Sequence, residues 1–193
     1  LLRDSQANVL VIDPENEYGA FCRIMGGTVL KISSDSDCYI NPMDMLEDYG
    51  LTEDDDSETT PIEIKKEKAI RKKTEYIMSI VERMISVNGS ADSSTITPQQ
   101  RTLIDKCVKE TYKEYLEHNF DPAYMPTLLD LQNVLNSKKS ESEDAEKVAE
   151  GIEYYTTGSM NVFSHHTNIN INNRFVVFNV RDLGEQLKQV ALI

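Results

Sequence analysis

An acidic cluster at the end of an apolar run is the first place in this sequence where chemistry could occur. The run Asn8-Val9-Leu10-Val11-Ile12 ends in Asp13, and Pro14, Glu15, Asn16, Glu17 and Tyr18 follow. Near-continuous Val, Leu and Ile mark a strand buried on both faces, as in a parallel α/β sheet. In such sheets ligands bind beyond the carboxyl ends of the strands, so Asp13 and Glu15 stand where a ligand would arrive. One carboxylate there can hold a metal ion through water, and another can orient a water for attack on a phosphate. The same residues also have a purely structural use. Asp13 could cap the helix that follows, with Glu15 and Glu17 complementing its dipole. The motif alone leaves both readings open.

Other residue types with chemical potential are weaker. His165 and His166 are adjacent and have no third ligand nearby in the sequence, so they read as loop residues and no metal site is expected. Cys22, Cys38 and Cys107 are far apart and form no CxxC pair. They read as small buried or half-buried side chains. The stretch Lys65, Lys66, Lys68, Arg71, Lys72 and Lys73 could meet DNA, but Glu63, Glu67 and Glu75 are interleaved with it. That mixture predicts a solvated helix face with i,i+4 pairs. From Glu47 to Glu58 the chain carries seven acidic residues and no basic one, which predicts a solvated loop.

The whole chain has 193 residues, 39% hydrophobic and 27% charged, with a net charge of −13 and a pI near 4.6. Phosphate backbones attract cations, so this balance favours a protein partner over nucleic acid. No run of 18 apolar residues exists that could span a bilayer, and the first six residues do not read as a signal peptide. A cytoplasmic setting is expected.

The elements that must position the cluster follow from pattern. After the strand near 9–13, Pro14 opens a short helix that Gly26 and Gly27 end. A second strand is predicted near 28–32, and a third near 174–180, where Arg174 to Val180 is again almost continuously apolar. Asp182 is placed to cap a helix starting near Leu183. Between the strands the periodicity becomes helical. Thr60-Pro61 and Thr97-Pro98 are start signals. Two long apolar stripes follow, one through Ile70, Ile77, Ile80, Val81, Met84 and Ile85, the other through Ile104, Cys107, Val108, Tyr112, Tyr115 and Leu116. A polar gap from Asn88 to Thr95 separates them. Two further helices are expected near 128–137 and 143–155, the last with Ser140 and Glu143 as a capping box. The fold class is α/β, a partial parallel sheet with an inserted all-α bundle. The organisation predicted is 1–59 as sheet core, 60–155 as helical insertion and 156–193 as a return to the core.

Five phrases carry a resemblance: Val11 to Tyr18, Gly26 to Ser33, Ile40 to Asp44, Thr156 to Phe163 and Asn172 to Phe178. In this order and spacing they resemble the large ATPases of conjugative type IV secretion systems, most closely those of Gram-positive conjugative elements. The resemblance covers essentially the whole chain. It implies a RecA-like P-loop ATPase of the DNA-pump class, with the P-loop just before Leu1 and the Walker-B carboxylates beyond Ile193. No Gly-x-x-x-x-Gly-Lys-Ser/Thr occurs in the sequence. Without that cradle the segment alone is expected neither to bind ATP tightly nor to hydrolyse it. For the full-length protein the resemblance implies ATP and Mg2+ as cofactors, with Glu15 polarising the attacking water beside Asp13. Glu17 and Tyr18 would shape the edge of the site. It further implies a homo-oligomer, a hexamer, at the inner face of the cell membrane. Secretion-channel proteins would be its partners, and a coupling protein, relaxase or DNA would lie within reach. The other expectation is an interaction module that docks channel or relaxosome partners without regard to nucleotide.

Overall fold

The computed structural model describes residues 7–33, 35–55, 57–88, 96–171 and 173–191. The gap expected to close the first long helix falls mostly outside them. The chain forms two compact units, one of residues up to Ile40 and from His166 on, the other of Asn41–His165.

The first unit is a parallel sheet built from three strands, β1 (Val9–Asp13), β2 (Thr28–Lys31) and β3 (Phe175–Asn179), in the order β1-β3-β2. The apolar runs are strands, as their composition predicts. Their order is not a sequence property: β3, far away in the chain, inserts between β1 and β2 and pairs with both. The register sets Leu10 opposite Val176 and Asp13 opposite Asn179. On the β2 side it sets Val29 opposite Val177. Helix α1 (Gly19–Ile24) covers one face. Its Cys22 packs with Phe175 and Val177, flanked by Val9, Val11 and Val29. Gly27 is required there, because a Cβ would lie 2.5 Å from Cys22 Sγ and 2.6 Å from Phe175 O. At the far end Asp182 does not cap a helix. A 3-10 turn covers Arg181–Leu183 and α7 begins at Glu185, running to Ala191. Asp182 instead pairs with Lys31 at 2.9 Å.

The second unit is helical: α2 (Ile62–Asn88), α3 (Pro98–Thr111), α4 (Lys113–Glu117), α5 (Leu128–Ser137) and α6 (Glu143–Thr156). The stripes meet as a shared core of Ile77, Val81, Met84, Ile104, Val108, Leu131, Leu135, Val148 and Ile152, all buried. Thr97 and Gln100 form the expected reciprocal cap. The second long helix is broken at Tyr112 into α3 and α4. The cap of α6 is Ser142, whose Oγ accepts from Ala145 N at 3.4 Å, rather than Ser140. Burial pushes the Cys107 thiol up to about 11 and raises that of Cys22, so both stay protonated packing groups.

The acidic loop and basic helix face differ most from expectation. Residues 41–55 and 57–59 form a strap on the helices and belong to the second unit, not to the sheet. Met43 and Met45 are buried. Their carbonyls accept from the hydroxyls of Tyr112 and Tyr115. Asn41 Nδ2 donates to Pro126 O at 2.8 Å. Glu47 pairs with Lys65, and Asp55 with Lys68. Gly50 (φ 96°) lies so close to α2 that a Cβ would sit 2.7 Å from Lys68 O. Lys73, 3% exposed, donates to Asp44 O at 2.7 Å. Its Nζ lies 5.0 Å from the centre of the Tyr49 ring and 4.8 Å from that of Tyr76. The lysines of α2 therefore clamp a strap. Lys65, Lys68 and Lys73 depart from the expected solvated face because a segment distant in sequence supplies their partners. Lys66 keeps a local pair with Glu63, and Arg71 and Lys72 stay exposed.

Candidate functional site

The turn after β1 is where the sequence concentrates candidate residues, and its geometry follows from Asp13. Asp13 ends β1 and is only 1% exposed. Its Oδ1 accepts from Glu17 N at 3.1 Å and its Oδ2 from Tyr18 N at 2.9 Å. A buried carboxylate needs such donors, and both oxygens are engaged within the turn. Asp13 therefore shapes the chain around Glu15 but does not cap α1, which begins at Gly19 and not at Pro14: the two amides it bonds, those of Glu17 and Tyr18, precede that helix. Glu15 is exposed at the crest of the turn, beyond the carboxyl end of β1. Glu17 and Tyr18 are exposed on its descending side, where Tyr18 directly precedes α1. The four expected residues are thus together on one turn, with Asp13 facing inward and the other three outward.

Two residues to which the sequence assigns no role complete the arrangement. Asn16 has φ 60°, a left-handed conformation that Asn tolerates better than most residues. Its Oδ1 accepts from Asn179 Nδ2 at 2.8 Å. Asn179 is the last residue of β3 and the register partner of Asp13. The backbones of the three strand ends also meet there. Val180 N donates to Asp13 O at 3.1 Å, and Ile32 N to Asn179 O at 2.9 Å. Asn179 could have been noticed as the amide that ends an apolar run. Its pairing with Asn16 could not, since 163 residues separate them.

Chemically, the turn offers an exposed carboxylate on a braced backbone. It does not offer a phosphate cradle, because Asp13 already occupies the amides of Glu17 and Tyr18. Among the described residues no three His, Cys, Asp or Glu side chains gather as a metal site. Nor is any described helix long and apolar enough to cross a membrane.

No protein-family model matches the chain, and no curated protein matches it. A solved structure does: VirB4 of Thermoanaerobacter pseudethanolicus, with a TM-score of 0.68 and 18% sequence identity, over 97% of this chain and 67% of that one. At that identity the likeness is one of fold, so this α/β sheet with its helical unit has a fold similar to that of VirB4.

Proposed function

We propose that this chain is part of the ATP-driven motor of a type IV secretion channel of the conjugative kind. It would contribute part of a RecA-like sheet and the helical domain inserted in it. The observation that carries this reading is the placement of Glu15. It sits on the carboxyl-end turn of a parallel strand, where such folds bind ligands, in a chain whose fold is similar to VirB4 over nearly its full length. The five resembling phrases support the same reading from the sequence side.

The residues present suit the rim of a nucleotide site. Glu15 is free to orient a water, Asp13 holds the turn beneath it, and Glu17 and Tyr18 flank it. The phosphates and Mg2+ would be held by a P-loop and a Walker-B carboxylate outside these residues. ATP, when bound, supplies the phosphoryl group whose transfer to water drives the motor. The assembly is a homo-oligomer, a hexamer in this reading, at the cytoplasmic face of the membrane. Its partners are secretion-channel proteins, with a coupling protein, relaxase or DNA further out.

A second reading, a docking module indifferent to nucleotide, draws on the helical unit. There a groove of about 630 Å³ opens between α2 and the α3–α4 pair, with Ile70 and Leu116 among charged residues such as Glu67 and Lys113. Binding of a channel partner that is equal with and without nucleotide would favour it.

The motor reading is tested by Glu15→Gln in a complete protein carrying this segment. A water-orienting carboxylate acts in the transition state, so kcat should fall by about 10²–10⁴-fold while nucleotide affinity stays near normal. An unchanged kcat would return Glu15 to a structural role.

A further inference from the structure

We propose that Asn179 is a positioning residue for Glu15, acting through Asn16. This rests on the reading of Glu15 as the water-orienting carboxylate. Asp13 braces the turn from within: the bonds to Glu17 N and Tyr18 N span four and five residues. That brace ties the far side of the turn to the end of β1. The Asn179–Asn16 amide pair at 2.8 Å ties the crest, at the residue next to Glu15, to a second strand.

The orientation of the Asn179 amide is set by its other end. Asn179 Oδ1 accepts from Arg181 N at 3.1 Å, which leaves Nδ2 as the group that donates to Asn16. Asn16 is in turn held at φ 60°, where its own Oδ1 can meet that donor. The backbone of Asn179 bonds the end of β2, and Val180 N bonds Asp13 O. Asn179 and Val180 at the end of the central strand therefore join the ends of all three strands to the Glu15 turn. A shift of β3 along its neighbours would be carried through the side-chain bond to the Glu15 carboxylate. Misplacement of a reacting group by about 1 Å can lower a rate by roughly 100-fold.

The test uses ATP hydrolysis by a complete protein carrying this segment, with kcat, KM and Tm measured for each variant. Asn179→Ala removes the donor. Asn16→Gly removes the acceptor and accommodates positive φ without strain. Each should lower kcat on the order of 10- to 100-fold, with KM within about twofold and Tm close to wild type. Because both remove the same bond, the double variant should be no slower than the slower single one. Asn16→Asp keeps an acceptor oxygen and tolerates the left-handed backbone, so it should restore kcat toward wild type. A normal kcat in Asn179→Ala, alongside a slow Glu15→Gln, would overturn this inference and leave the motor reading standing. A fall in Tm that tracks the loss of kcat, with no rescue by Asn16→Asp, would overturn it by reducing the bond to a structural one. A normal kcat in Glu15→Gln would overturn the reading on which it rests and this inference with it.

Discussion

The Asp13 carboxylate accepts two backbone donors of the turn, Glu17 N and Tyr18 N, so Asp13→Ala leaves both without their partner in a half-buried setting. Hydrogen bonds to a charged group contribute about 1.5–3 kcal/mol each, less once water can enter. A loss of about 2–3 kcal/mol in urea unfolding is the expected result, and a loss below about 0.5 kcal/mol would show that the turn holds without this brace. Lys73 makes a different residue-scale prediction. Burial lowers its pKa from 10.5 to about 8, with the charge of Asp44 opposing. Below about 8 both folded and unfolded states carry the proton, and burying the charge costs stability. Between about 8 and 10.5 the unfolded state binds more protons than the folded one, so stability rises with pH. Burial also raises the pKa of Tyr49, Tyr76 and Tyr112, and that of Tyr115 to about 12. Above the usual tyrosine value near 10, the unfolded state releases protons that the folded state keeps, and stability falls. A maximum in Tm near pH 10 follows, and Lys73→Met should abolish the rise on its acidic side.

Among the elements, β3 and β1 invite contrasting substitutions. Both are apolar runs, and on composition either could expose a sticky edge. The strand order makes β3 the centre, paired on both sides, with Val176 and Val177 fully buried. The apolar side chains left open are those of β1, where Leu10 is 60% and Ile12 54% exposed. Exposed apolar edges recruit other strands. In sedimentation, Leu10→Lys should reduce self-association of the isolated chain with little change in Tm. Val177→Lys should unfold the sheet, because it buries an uncompensated charge. If Leu10→Lys associates as strongly as wild type, β1 is not the contact. In the helical unit the Thr97 cap is worth about 1 kcal/mol, so Thr97→Ala should cost about that much.

For the whole molecule, the strap moves the boundary of the helical unit. Residues 60–155 have their own start signals and apolar stripes, which suggests a unit able to fold alone. Yet Tyr112 and Tyr115 bury their hydroxyls against the carbonyls of Met43 and Met45. Lys65, Lys68 and Lys73 likewise find partners in the strap. Cutting at residue 60 strips these partners from buried donors. A chain of residues 41–165 should unfold cooperatively in thermal circular dichroism, and one of residues 60–155 should melt lower and over a broader range. Equal melting of the two would mean that the strap adds nothing to the bundle.

Features that depend on near neighbours are legible along the chain. Strand and helix type came from apolar periodicity, as in Val9–Asp13 and α5. Caps came from side chains three residues from their amides, as in Thr97 and Gln100. The carboxylates at the end of β1 were legible from Asp13 and Glu15 standing beside a breaker, although the chain makes a turn there and α1 begins only at Gly19, not at Pro14. Pattern misplaced one cap: the sequence points to Ser140 for the start of α6, and Ser142, two residues on, makes the bond. The tertiary structure decided whatever joins distant residues. It inserted β3 between β1 and β2, matched the acidic strap to the lysines of α2, and brought Asn179 to Asn16. No periodicity encodes such pairs. Parallel strands are joined through long crossovers, and a charge takes whichever opposite charge the packing of the core brings within reach.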